Sequence, residues 1–234
     1  VRILSAAVPV SFPQAFDEER NAKRNAEIRK QTSAGPGDLV LAYSGGRWFR
    51  DVAGRGRIDV QGLDGLCYAV NLLNDEGFPC QLIVIGTGED DPQLRPIIEG
   101  RWRERFHLWG RYRPLDAMHT KVLGGAELLC IPSAGSRIYQ LYDRFKMYEY
   151  MGAGKRIVAA DVPINRDVFG AQAIYFTDGD WRDMARAIRE NSDRAVAFEA
   201  ELNQRVAQRY TWDQRLRDGA IGEALFGEKA AEWY

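Results

Sequence analysis

The sequence predicts an α/β fold: a doubly wound sheet of six parallel strands, with helices on both faces and a helical extension at the C-terminal end. Two observations carry this. Short runs that are apolar almost throughout recur along the chain, at "LVLAYS" (39–44), "QLIVIG" (81–86), "FHLWG" (106–110), "ELLCIP" (127–132), "RIVAAD" (156–161) and "AIYF" (173–176). Helix-like segments separate most of them, at 62–74, 92–103, 114–124 and 143–153. Strands covered on both faces read as unbroken apolar runs, and parallel neighbours need a crossover, usually a helix.

The remaining elements follow in order. Residues 14–31, "QAFDEERNAKRNAEIRKQ", are polar and rich in helix formers, which predicts an exposed or linker helix. "AGPGD" at 34–38 ends it. After the sixth strand, Asp178 or Asp180 is placed to cap a helix whose Trp181, Met184, Ala185 and Ile188 share one face. Amphipathic helices at about 193–209 and 211–226 finish the chain. The expected organisation is a linker and N-terminal helical segment (1–37), a Rossmann-like domain (38–192) and C-terminal helices packed on it (193–234). The first residue is Val rather than Met, which hints at a fragment or a processed product.

Composition narrows the function classes. The net charge of −1 offers no global basic field for nucleic acid. No run approaches the 18 or so apolar residues of a membrane span, and "VRILSAAVPVSF" is too short and lightly charged for a signal peptide. A cytoplasmic protein is expected. Cys67, Cys80 and Cys130 lack metal-like spacing and sit in apolar contexts, which predicts buried reduced thiols. His107 and His119 are expected in structural roles.

In doubly wound sheets, ligands bind beyond the carboxyl ends of the strands. That rule selects "SGGRWFRDVAGRGR", "GTGEDD", "GRYR" and "PSAGSR", four loops rich in glycine or arginine. Glycine lets backbone N–H groups approach an anion, and the guanidinium fork suits phosphate. Gly45, Gly46, Arg47, Arg55, Arg57, Arg111 and Ser133 become candidate contacts for a phosphorylated ligand. A dinucleotide dehydrogenase is disfavoured: the turn directly after the first strand, "SGGRWF", has no G-x-G, and where one follows the second strand, as Gly86-Thr87-Gly88, Asp91 stands where the third glycine belongs. Nucleophilic hydrolysis lacks a G-x-S-x-G elbow.

One charge in "FKMYEYMGAGKRIVAADVP" (145–163) needs explaining, because an ionised carboxylate is costly to bury without a partner. From the residues alone two readings of Glu149 are open. It turns outward and pairs with Lys146, or something meets it inside.

This stretch, with "ELLCIPSAG" before it, resembles the "PS … K-x-x-E-Y-M-A-x-G-K-P-V-V-A" segment of the family 4 retaining glycosyltransferases of GT-B fold. "VLAYSGG", "QGLDGLCYAVNLL", "QLIVIGTGED", "RFHLWGRY", "GDWRDMARAI" and "RYTWDQRL" resemble other pieces of that family in order, over about residues 39–217. The resemblance implies the nucleotide-sugar donor domain, with the N-terminal acceptor-binding half absent and no transfer without it. The donor is a UDP or GDP sugar, no other cofactor and no metal are required, and the full enzyme can associate peripherally with the inner face of a membrane. It implies catalytic roles for Arg47, on the leaving diphosphate, and Glu149, on the ribose hydroxyls. Asp143, Phe145 and Lys146 join the substrate-binding set. The sequence departs from the family at two positions: Leu141 replaces a glutamate near the sugar, and Gln61 replaces a lysine on the diphosphate. A non-catalytic binding or interaction domain of the same fold is the alternative.

Overall fold

A computed structural model describes residues 6–46, 49–52, 56–86, 94–110, 116–132, 143–194 and 198–217. In chain order its elements begin with α1 (Ser11–Gln14), α2 (Glu18–Gln31), β1 (Leu39–Ser44), β2 (Phe49–Val52), β3 (Gly56–Asp59), α3 (Leu63–Asp75) and β4 (Cys80–Ile85). There follow α4 (Arg95–Ile98), β5 (Phe106–Leu108), α5 (Ala117–Gly125), β6 (Leu128–Ile131), α6 (Phe145–Gly152) and β7 (Arg156–Ala160). The last are α7 (Pro163–Phe169), β8 (Ala173–Phe176), α8 (Trp181–Glu190), α9 (Ala200–Arg209) and α10 (Trp212–Arg217).

Six strands form one parallel sheet in the order β5-β4-β1-β6-β7-β8. The chain winds one way from β1 to β5 and the other from β6 to β8, so the topological switch lies beside β1. The two-residue period of the strands divides their side chains between two cores. Leu41, Tyr43, Leu82, Val84, Cys130 and Val158 face α3 and α8. Val40, Ala42, Ile83, Leu129 and Ile157 face α5, α6 and α9. Both faces are covered, which is why the strands read as continuous apolar runs. All three cysteines are buried free thiols.

Four details depart from the sequence reading. The long loop after β1 contains an antiparallel hairpin, β2 with β3. The helix expected over 92–103 is reduced, among the described residues, to the single turn Arg95–Ile98, with Pro96 in it and Gly100 just beyond it, and a 3-10 turn at Arg103–Arg105. α7 was not anticipated, although Pro163 marks its first turn. α2 is not an exposed linker: Asn21 and Ile28 are fully buried against α5. Small residues make that contact. A Cβ on Gly124 or Gly125 would strike Asn21, Arg24 or Ile28. Asn25 Nδ2 donates to the Gly125 carbonyl at 2.7 Å, and Asn21 Nδ2 to Ala153 O at 2.9 Å.

The N-terminal segment is tied to the C-terminal helices. Val8 N–H donates to Tyr210 O, and Trp212 N–H returns to Val8 O, an isolated parallel bridge between Val8 and Thr211. Phe12 and Phe16 are buried in the same core as Leu202 and Val206 of α9. At the opposite face, buried Asn74 holds α3 to β4: Nδ2 donates to Val70 O and Cys80 O, and Oδ1 accepts from Cys80 N–H. Asn74→Ala leaves buried backbone groups unmatched and is expected to cost about 2 kcal/mol in denaturant melts.

Candidate functional site

The carboxyl ends of β1, β4 and β5 meet in a rim of backbone. Gly45 N–H donates to Ile85 O at 2.9 Å, and Gly86 N–H to Gly110 O at 2.7 Å. Gly45 has φ +140° and Gly86 φ +104°, in the region that favours glycine. A Cβ on Gly86 would lie 2.7 Å from the Gly45 carbonyl, so the two backbones touch where a side chain would keep them apart.

α6 sits beside this rim. Its residues Met147 to Gly152 are all buried, because the sheet covers one side and α1 and α9 cover the others. Tyr150 OH, accepting from Ser44 N–H at 2.7 Å, locks the helix to the end of β1. Lys146 therefore projects from a fixed helix toward the carboxyl end of β1, with Glu149 one turn further along the same helix.

Lys146 Nζ donates to Gln61 Oε1 at 2.7 Å and to Tyr43 OH at 3.1 Å, and stands 4.2 Å from the Tyr43 ring centroid. A Cβ added to Gly45 would be 2.7 Å from the same Nζ. Tyr43 OH also lies 3.1 Å from Gly46 O. Gln61 is held by its own N–H on Asp59 Oδ1 at 3.0 Å, and Asp59 Oδ2 accepts from Leu63 N–H at the start of α3. The residue as a whole is half-buried, but the ammonium is densely surrounded, which pulls its pKa down to about 7. Desolvation is the main cause; Arg144 adds to it, and Glu149 and Asp59 oppose it.

Glu149 is buried, 7% exposed. Burial pushes its carboxyl up to about 7, with Lys146 opposing. His119 of α5 is fully buried and brings Nε2 to 3.9 Å from Glu149 Oε2, beyond hydrogen-bond reach. Burial lowers the imidazole to about 4, so it is neutral near pH 7 and the contact is not an ion pair. The carboxylate is thus rigidly placed and short of donors among the described residues. That is the condition in which a pair of hydroxyl donors is bound well.

The structure brings Gly45, Gly46 and Lys146 together at one edge, with Glu149 one turn from Lys146 on the same helix. Asp143 is engaged elsewhere: its Oδ2 accepts from Tyr148 OH at 2.5 Å and from Ala6 N–H at 3.2 Å, fastening the N-terminal segment. Phe145 is exposed, its ring 6.2 Å from that of Trp212. Arg57 lies in β3, opposite Asp51 in the backbone ladder of the β2–β3 hairpin. Arg47, Arg55, Arg111 and Ser133 lie outside the described residues, as does Leu141. Sequence reasoning missed the neighbourhood of His119 and the joining of Tyr43, Gln61 and Lys146, which no local spacing signals. Among the described residues, no group of three or more His, Cys, Asp or Glu side chains could hold a metal ion. No helix among them is long and apolar enough to cross a membrane.

No curated protein matches the chain significantly. Solved structures match its fold. A glycosyltransferase from Rickettsia africae aligns with a TM-score of 0.64 and 11% identity over 92% of this chain and 54% of its own. The sucrose-phosphate synthase of Thermosynechococcus elongatus gives 0.62 and 19% over 96% and 52%. Anabaena HepE, solved in complex with UDP-glucose, gives 0.56 and 17% over 90% and 52%. The chain spans about half the length of each of these proteins. The model of the family described as glycosyl transferases group 1 matches residues 51–193. That match takes in more than half of the chain, including the Lys146–Glu149 helix, and with the six-stranded parallel sheet it shows that the chain belongs to the group 1 glycosyl transferases, built like the C-terminal half of a GT-B enzyme.

Proposed function

We propose that this chain is the donor-binding half of a retaining glycosyltransferase, which takes a hexose from a nucleoside diphosphate sugar. The observation that carries this is Glu149: a buried carboxylate, short of donors, on a helix locked to the switch-point strand beside a bare glycine rim. The carboxylate accepts both ribose hydroxyls. The glycine rim admits the diphosphate close to the backbone, and Arg47, which follows it in sequence, neutralises the charge that develops as the glycosidic bond breaks. The solved complex of Anabaena HepE with UDP-glucose supports a uridine donor. Transfer requires an acceptor held against the donor, and this half supplies only one partner of that pair.

Calorimetric titration with UDP, GDP and uridine, alongside a donor-consumption assay, tests the reading. UDP is expected to bind, and no sugar is expected to be transferred by residues 1–234 alone. Arg47→Ala should weaken UDP about tenfold or more and change uridine less than twofold, because a guanidinium on phosphate forms a charge-assisted pair. Equal losses for both ligands would count against the placement of Arg47. Robust transfer by this chain alone would refute the division of labour.

A further inference from the structure

We infer that Lys146 is the diphosphate-binding cation of this site, an ammonium held on two neutral oxygens and aimed into the glycine rim so that it can pair with the leaving phosphates. The inference rests on the donor-site reading above and assigns it a specific contact.

Three features point to an absent anion. The first is the partner set. An ammonium carries three N–H donors. Two are spent on Gln61 Oε1 and Tyr43 OH, both neutral, and no carboxylate among the described residues forms an ion pair with it. Asp59 and Glu149 act on it only through space, while Arg144 repels it. A lysine needed only to fill volume has no reason to be crowded this way, since methionine fills the same space without a charge to desolvate.

The second feature is aim. Nζ lies 2.7 Å from where a Cβ of Gly45 would be, so the ammonium stands against the backbone rim at the carboxyl end of β1. Anions bind at that edge in this architecture. The residue as a whole is half-buried rather than enclosed.

The third feature is preparation. Gln61 is fixed by Asp59, and Tyr43 stands on the central strand, so the ammonium is held before a ligand arrives. Its depressed pKa follows from the same crowding. A diphosphate restores full charge to the amine and supplies the missing counter-charge in one step.

The experiment is a charge transplant. UDP and uridine are titrated by calorimetry into the wild type, into Lys146→Met, and into the exchange variant Lys146→Gln with Gln61→Lys. Because Gln61 Oε1 and Lys146 Nζ are 2.7 Å apart, the exchange returns a cation to nearly the same point from the other side of the rim. Lys146→Met is expected to weaken UDP by about ten- to hundredfold and uridine by less than twofold. The exchange should recover UDP to within about fivefold of wild type. If Lys146→Met keeps UDP affinity within twofold while the wild type binds UDP, Lys146 does not touch the diphosphate, and only this inference falls. Equal losses of UDP and uridine would show a packing role and also overturn it. If the wild type binds neither ligand, the donor-site reading fails and takes the inference with it.

Discussion

Glu149→Gln should weaken UDP binding by about ten- to hundredfold while making the ligand-free protein more stable above pH 7. The affinity loss follows because two hydroxyl donors exchange a charged acceptor for a neutral amide, and each charge-assisted bond contributes about 1.5–3 kcal/mol. The stability gain follows from the raised pKa, about 7 in the fold against an ordinary 4.5. Below pH 4.5 the carboxyl is protonated in both folded and unfolded chains and costs nothing. Between 4.5 and about 7 the folded state holds more protons, so stability is lost as pH rises. Glutamine does not titrate, so the gap in stability should open across that window and then level off at about 3 kcal/mol, the span from 4.5 to about 7 at about 1.4 kcal/mol per pH unit. Lys146, depressed from 10.5 to about 7, has the opposite sign: its stability is present at high pH and lost as pH falls toward 7. The two windows adjoin, and buried His119, whose window runs from 6.5 down to about 4, is present in both proteins, so the difference between wild type and variant from pH 5 to 7 belongs to Glu149. A 2′,3′-dideoxy nucleotide completes the cycle. It should bind the wild type about as poorly as UDP binds the variant, and removing the hydroxyls should cost the variant little more. Fully additive losses would mean that Glu149 and the ribose do not meet.

The second large effect is at Gly62, which ends the turn from β3 into α3. Its φ is +76°, and a Cβ would lie 1.9 Å from the backbone oxygen of Pro132, just past β6. Neither backbone can yield without moving α3 or β6. Gly62→Ala is expected to cost about 3 kcal/mol or more, roughly 6–12 °C in melting temperature for a chain of this size. UDP affinity should fall with it, because the adjacent Gln61 holds Lys146. Gly77 is the control: its φ is +77°, but nothing lies within 4 Å of its Cβ position. Gly77→Ala should cost only the left-handed penalty, about 1 kcal/mol. Equal melting temperatures for the two variants would show that Pro132 does not crowd the turn.

The parallel sheet was legible in the sequence because burial on both faces leaves no polar positions in a strand, as "LVLAYS" and "QLIVIG" illustrate. α2 was misread for the complementary reason. It docks through Asn21, Asn25 and Arg29, which bond to backbone carbonyls, and through glycines on α5 that show no apolar stripe. α7 is too short to display a period, and the β2–β3 hairpin lay hidden in a loop rich in glycine and arginine. Glu149 stood out because a lone charge in an apolar helix is a conflict visible locally. The Tyr43–Gln61–Lys146 cluster joins three distant parts of the chain, so only the fold reveals it. Asp143, placed by the resemblance in the substrate-binding set, has its Oδ2 occupied by Tyr148 and Ala6, a use that depends on where the N-terminal segment runs.

The bridge between Val8 and Thr211 joins positions about two hundred residues apart in sequence. During synthesis, Val8, Phe12 and Phe16 leave the ribosome long before Leu202, Val206 and Tyr210, which complete their burial. At roughly 5–20 residues per second that interval is on the order of 10–40 s, with an aromatic segment lacking its final cover. A ribosome stalled before residue 200 should therefore display a nascent chain that recruits chaperones through its N-terminal aromatics. Emergence of α9 and α10 from the ribosome should end that recruitment, because Leu202, Val206 and Tyr210 supply the cover that Phe12 and Phe16 lack until then.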